Sequence, residues 1–344
     1  MSIEKGSESA GRALPSTVAL SWGSFYDPEQ DAIFCGHDSG FFSMCSVSLW
    51  NLADLQRFRG KIPARIDYSL NFTAFRNPEQ IRQKTDLYPV FFKPHSPSLI
   101  NRQRRLPYVA HHGLYSLLNY ERLNPIIDRF FRPSDRAIAV RAELTRRYEI
   151  DPAKTIAVVY RGTDKSTEIK VASPEAFLAA TQQMLIANPG HRVWIQTDEW
   201  EVREKFVRAF ADRCFYVQEM PVSKNGVVVH GQDDETLSMD RSEFGVLLVA
   251  VNSLLAQADV VVNHTGNMAL WLCLFRGHAR GVWQFDDEAR VVNPAAPACY
   301  VAAMRRLTMK ATSWTFLRRL MIKATSWDVL RRHVHKFIRT KWRL

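Results

Sequence analysis

Residues 155–168 read TIAVVYRGTDKSTE, and this stretch decides how the rest of the chain is parsed. Thr155–Tyr160 is a short apolar run rich in β-branched residues, the pattern of a buried strand. Arg161, Asp164, Lys165 and Glu168 follow within eight residues. Beyond them Pro174–Ala187 reads as a helix, His191–Thr197 as a second strand, Glu199–Ala211 as an amphipathic helix and Arg213–Val217 as a third strand. Gly226–Asp240 is polar and loop-like. Ser242–Gln257 is helical, Asp259–Val262 a buried strand, Asn267–Phe275 a helix and Val282–Phe285 a last strand. Strands alternating with helices predict βαβ units around a parallel sheet.

Upstream the pattern is less regular. Ala32–Cys35 (AIFC) ends a strand, GHDSGFFSMCS (36–46) is a small, polar, Gly-bearing loop, and Val47–Phe58 has helical spacing of apolar residues. Strand, Gly loop and helix in that order form a Rossmann-like opening. Pro125–Phe131 and Asp135–Tyr148 read as helices around Arg132-Pro133-Ser134, with Ser134 as an N-cap. The chain is long enough for two α/β halves, each with its own core. The expected division is residues 1–150, residues 151–300 and a tail of residues 301–344, with the two halves facing a cleft.

Ligands of open α/β sheets bind beyond the carboxyl ends of the strands, where three loops stand out. In the first, Arg161 and Lys165 suit a diphosphate: arginine forks onto two oxygens and lysine supplies a point charge. A solvated turn with ordinary ion pairs fits the same residues. The second, WIQTDE (194–199), puts Asp198 and Glu199 where an acid accepts hydrogen bonds from a ribose or base, or caps a helix. The third, VVVNHTGNMALW (260–271), runs from a strand through His264, Thr265, Gly266 and Asn267 into a helix whose N-terminal N–H groups could hold phosphate. His111-His112 and the aromatic-rich FRNPEQ and YPVFFKPH stretches read as acceptor-side loops or core.

YRGTDK (160–165), TDE (197–199) and LLAQADVVV (254–262) together resemble the fucosyltransferase superfamily: α1,6-fucosyltransferases, bacterial nodulation fucosyltransferases and protein O-fucosyltransferases. The resemblance covers about residues 155–275. It implies an α/β GT-B-like fold of two Rossmann-like domains and inverting transfer of fucose from GDP-fucose to a glycan acceptor, with no metal and no further cofactor. By position, Arg161 resembles the arginine on the donor β-phosphate, and Asp164 and Lys165 the family's Asp-Lys pair. Glu168 lies one residue short of the acidic candidate base, Asp198 and Glu199 match an acidic pair, and His264–Asn267 fall on the phosphate turn. The GHDSGFFS loop resembles the family's N-terminal Gly loop, which adds Gly36 and Gly40 as donor-binding candidates and Asp38 as a second candidate base. There are departures. The family's HVRR reads VYRG here, so Val159 replaces the histidine and Gly162 the second arginine. Val251 stands where relatives carry a base-reading aspartate, and Gly266-Asn267-Met268 replaces a Ser-Ser-Gln turn. A non-catalytic nucleotide- or glycan-binding relative, or a transferase with another nucleotide-sugar donor, is the alternative.

The formal charge is +11. Residues 304–344 hold twelve basic residues and one acid, Asp328, so they account for all of it. The neutral remainder offers no basic channel for a nucleic-acid backbone. In the tail, KATSWTFLRR (310–319) recurs as KATSWDVLRR (323–332). Thirteen residues turn one helix by about 220° beyond whole turns, so two short helices, capped at Ser313 and Ser326, would aim Trp314 and Trp327 alike. Aromatic and aliphatic residues alternating with Lys and Arg suit an anionic membrane interface; terminal helices packed on the protein are the other reading. The opening MSIEKGSESAGRALPS lacks a signal-peptide core, and Phe244–Ala256 is too short to span a bilayer. Five cysteines without a CxxC pair read as reduced thiols. The expectation is a cytoplasmic protein, peripheral on the inner face of a membrane, whose glycan acceptor could be lipid-linked.

Overall fold

The computed structural model describes residues 17–93, 105–163, 165, 168–224 and 239–292. Asp164 and the tail lie outside the described residues. The second half is built on six strands: β5 (Thr155–Tyr160), β6 (Arg192–Thr197), β7 (Cys214–Phe215), β8 (Val260–His264), β9 (Val282–Phe285) and β10 (Val291–Val292). Their order is β10-β9-β8-β5-β6-β7, parallel throughout except for the antiparallel edge pair β9–β10. All six residues of β5 are buried because it lies between β8 and β6.

Alternation along the strands divides the core. Ile156, Val158 and Tyr160 face one layer with Val193, Ile195 and Val262, covered by Phe177 of α6 (Pro174–Ala187) and Phe206 of α7 (Trp200–Phe210). Ala157, Val159, Trp194 and Val261 face the other, covered by α8 (Arg241–Leu255) and α9 (Asn267–Arg276). That second core is continuous with the core of the N-terminal half.

The N-terminal sheet runs β1 (Val18–Ala19), β2 (Phe25–Asp27), β3 (Ala32–Phe34), β4 (Arg65–Asp67). Only β3–β4 is parallel, joined through α1 (Phe41–Arg59), so this half holds one βαβ unit flanked by two antiparallel strands. The expected α/β class is observed, with a cavity between the two sheets. The short helices α2 (Pro78–Arg82) and α3 (Tyr88–Phe91) follow, then α4 (Tyr120–Phe130) and α5 (Asp135–Arg147). Ser134 caps α5, its hydroxyl accepting from Ala137 N–H at 3.2 Å.

Two helices differ in extent from their readings, and one of them, α4, begins at Tyr120, five residues before Pro125. Helix α1 begins at Phe41, not Val47, and takes FFSMCS out of the presumed loop. Serine is a poor interior helix residue because it competes for the backbone. Here Ser46 and Ser48 donate back to the carbonyls of Phe42 and Met44, both at 2.9 Å, within a buried helix. The helix ends at Gly60, which adopts the left-handed conformation (φ 62°) with no Cβ cost. Two contacts tie α1 to α9: Ser46 Oγ shares its one hydrogen between the Phe42 carbonyl and Asn267 Oδ1, at 2.8 Å, and accepts from Trp271 Nε1 at 3.0 Å.

Candidate active site

A cavity of about 350 Å³ lies at the carboxyl ends of β5, β6 and β8, closed on the other side by Ser39–Ser43 at the start of α1. Each strand delivers polar groups there because its pairing ends where its side chains stop being enclosed. At the end of β5, Arg161 is fixed twice. Its backbone N–H donates to His264 Nε2 at 2.9 Å, and its side-chain Nε donates to Asp198 Oδ2 at 3.0 Å. Asp198, only 7% exposed, also accepts from Gly162 N–H at 3.2 Å and from Thr163 Oγ1 at 2.7 Å. It is therefore the hub that sets the Arg161 loop, a network that low dielectric strengthens.

The capping role open to Asp198 and Glu199 is not observed: the N-cap of α7 is Glu199, and its side chain makes no capping bond. Its carboxylate instead lies over Gly162, where a Cβ would come 1.9 Å from Oε1. Burial, with Asp198 adding to it, raises the Glu199 pKa. A side chain at position 162 would therefore displace the Glu199 carboxylate.

Lys165 is 7% exposed, and its Nζ donates to Glu168 Oε2 at 2.7 Å. His112 Nε2 lies 3.4 Å from the same oxygen. The hydrogen bond from His112 and that from Lys165, against the opposing effect of burial, bring Glu168 down to about 2. Burial, reinforced by His112 and Lys165, pulls His111 down to about 3. His111, His112 and Glu168 each place a ligand-type atom within 4.8 Å of the others. The Lys165 ammonium on the shared carboxylate opposes a cation there.

His264 ends β8 and is buried rather than displayed in the turn. Its Nδ1 lies 2.6 Å from the Thr265 carbonyl and its Nε2 accepts from Arg161, so the ring is neutral with the proton on Nδ1. Burial first, opposed by the Thr265 contact, lowers it to about 4. The reading of Gly266 needs correction. Its N–H is not available to phosphate, because it donates to the His111 carbonyl at 2.9 Å and to the Tyr115 hydroxyl at 2.8 Å. At φ +147° Gly266 occupies a conformation L side chains rarely adopt, and a Cβ would meet Lys165 Cε at 3.3 Å. Glycine is there for backbone shape and close approach. Helix α9 starts one residue later, and Asn267, Met268 and Ala269 of its first turn line the cavity. Their N–H groups have no intrahelical acceptor.

Two further expectations are displaced. Asp38 does not line this cavity; it accepts from Thr73 N–H at 3.1 Å and borders a shallower hollow with Arg76 and Arg241. Gly36 does not line it either: a Cβ would lie 2.3 Å from the Gly23 carbonyl oxygen, so its glycine serves chain packing. Gly40, the N-cap of α1, does line the cavity, as do Arg161, Lys165, Glu168, Asp198, His264, Thr265, Gly266 and Asn267, whereas Glu199 does not. Asp164 is outside the described residues.

Sequence reasoning missed Tyr115, Thr163 and Gln196. Tyr115 is fully buried, donates to the Gly266 carbonyl at 2.9 Å and accepts from its N–H, and so clamps the β8–α9 turn. It lies 151 residues away in sequence, and no local pattern announces it. Gln196, two residues before Asp198 on the alternation of β6, was within reach of strand periodicity.

No family model and no curated protein sequence matches the chain. Among solved structures it is similar to NodZ α1,6-fucosyltransferase co-crystallised with GDP, with 14% identity and a TM-score of 0.47 over 75% of this chain and 96% of that one. It is likewise similar to fucosyltransferase NodZ from Bradyrhizobium, with 15% identity and a TM-score of 0.46 over the same shares. This is a likeness of fold alone.

Proposed function

We propose that the chain is an inverting glycosyltransferase that takes a nucleoside-diphosphate sugar, GDP-fucose first among donors, and transfers the sugar to a hydroxyl of a glycan acceptor. The observation that supports it is the cavity itself. Arg161 and Lys165, held by Asp198 and Glu168, stand beside the first turn of α9 at the strand ends. Two preset cations and a helix N-terminus suit a diphosphate leaving group without a metal. In the reaction the acceptor oxygen bonds to the anomeric carbon as the bond from that carbon to the β-phosphate oxygen breaks. Arg161 and Lys165 take up the charge that develops on the phosphate. The acceptor proton passes to a carboxylate, with Glu168 as the base.

A carboxylate held at about 2 is a weak base in the free protein. A donor phosphate that draws Lys165 away loosens one of the two contacts holding it there, so donor binding raises its proton affinity. The basic tail, residues 304–344, would hold the enzyme on the inner, anionic face of a membrane, where a lipid-linked glycan is within reach.

The test is a donor screen of the purified protein against GDP-, UDP- and dTDP-sugars, reading release of the free nucleoside diphosphate with and without glycan. Arg161→Ala should cut release about 10²–10³-fold. Nucleotide binding without release from any donor would favour a non-catalytic binding protein. Normal release by Arg161→Ala would remove the assigned site.

A further inference from the structure

An aromatic cluster runs from the surface to the catalytic groups. Trp22 is 53% exposed and Tyr108 39%, and both belong to one set of ring contacts centred on Trp50. Trp50 stacks on Tyr108 at 5.2 Å and 14°, and lies 6.3 Å from Trp22 and 6.1 Å from His111. His111 in turn packs on His112 at 4.0 Å, and His112 reaches Glu168. Trp50 is anchored, its Nε1 donating to the Val109 carbonyl at 2.7 Å. Trp22 is held in the left-handed conformation (φ 61°, ψ 39°) with its ring edge-on to His37 at 5.3 Å. A bulky residue at positive φ with half its surface in water is neither a turn former nor a core side chain.

The polar surroundings narrow the partner. Asp54 sits beside the cluster, accepting from Ser21 Oγ at 3.0 Å, and its charge contributes with burial to Tyr108 being raised to about 12. Tyr108 therefore stays a neutral O–H donor next to a carboxylate acceptor. Aromatic faces for C–H groups, with a hydroxyl and a carboxylate at their edge, form the surface that a pyranose needs, because a sugar ring is apolar on its face and hydroxylated on its rim.

We propose that Trp22, Trp50 and Tyr108 form the acceptor subsite, binding a saccharide whose reactive hydroxyl extends past His111 and His112 to Glu168. The subsite deepens the glycosyltransferase reading and rests on it for the identity of the reaction. Side-chain contacts run from the cluster through His111 and His112 to Glu168, which lines the cavity.

The experiment is calorimetric titration of the full-length protein with four probes: maltopentaose, cellopentaose, chitopentaose and mannopentaose. At least one should bind saturably. Trp22→Gly, which removes the ring and suits the positive φ, and Tyr108→Ala should each weaken it about tenfold. Trp22→Phe should retain most of the affinity, and the thermal shift produced by GDP should be unchanged in all three. Failure of every pentaose to bind, or variants that bind as the parent does, overturns the subsite. So does binding of a Lys-rich peptide in place of the sugars, which the same rings could attract. Pentaose binding that depends on Trp22 in a protein that binds no nucleotide upholds the subsite and overturns the transferase reading. Nucleotide turnover with no pentaose bound does the reverse.

Discussion

Asp198 shows how much one side chain can organise. A single buried carboxylate accepts from the guanidinium of Arg161, the N–H of Gly162 and the hydroxyl of Thr163. Asp198→Asn keeps the shape and removes the charge. It should lower donor turnover more than tenfold and cost about 1–3 kcal/mol of stability in denaturant unfolding; unchanged turnover would mean that Arg161 is oriented by something else. Protonation gives a second test. His111 and His264 titrate at about 3 and about 4, and Glu168 at about 2, all below their ordinary values. The unfolded chain therefore binds more protons than the folded one at acid pH. Their contribution to stability is complete above pH 6.5 and is lost as pH falls, first through the histidines and then through Glu168 below about 4.5. Each linked proton contributes a slope of about 1.4 kcal/mol per pH unit. Melting temperature should be flat between about pH 7 and 8 and fall between pH 6.5 and 4, with His264→Asn giving a shallower fall. A flat acid profile in the parent would contradict the buried neutral histidines.

Among the elements, the glycines separate backbone geometry from ligand contact. Gly36 and Gly266 both occupy loops that read as donor-binding, yet one packs against the Gly23 carbonyl and the other lets the β8–α9 turn pass Lys165. Gly36→Ala should destabilise the fold by about 1–3 kcal/mol through overpacking, with donor affinity in the remaining folded protein intact. Gly266→Ala should raise the donor KM as well, because the strained turn displaces Lys165. If Gly36→Ala alone abolished donor binding at full stability, the N-terminal loop would be part of the donor site after all. The helices were legible to different depths. Helix α6 coincides with its sequence reading because Ser173 caps it and Pro174 starts it. The start of α1 was hidden, since only tertiary burial makes Ser46 and Ser48 turn back on their own helix.

At the scale of the whole molecule, no described helix is long and apolar enough to cross a membrane. The four cysteines among the described residues, Cys35, Cys45, Cys214 and Cys273, are free thiols. The +11 of the chain resides in residues 304–344, outside the described residues. If that segment docks on membranes, the protein should co-sediment with anionic vesicles and not with neutral ones, and release in high salt. The double variant Trp314→Ala, Trp327→Ala should weaken that docking several-fold while soluble donor turnover is retained. Equal partitioning of parent and variant would leave the repeat to packing on the protein.

The sequence by itself determined the parallel sheet and the residues at its strand ends. A buried strand needs a continuous apolar run, and its helix partners need a 3.6-residue period; both are local and survive in one dimension. Arg161, Lys165, Asp198 and His264 were therefore readable as one edge. Only the tertiary structure decided what each does there. It turned His264 inward to hold a backbone N–H, gave the Gly266 N–H to Tyr115 and His111, moved Asp38 away from the cavity, and brought His112 onto Glu168. It also joined Trp22, Trp50 and Tyr108 from three separate segments. Hydrogen-bond partners and ring contacts across as many as 225 residues depend on how the two sheets pack, and no local period encodes that.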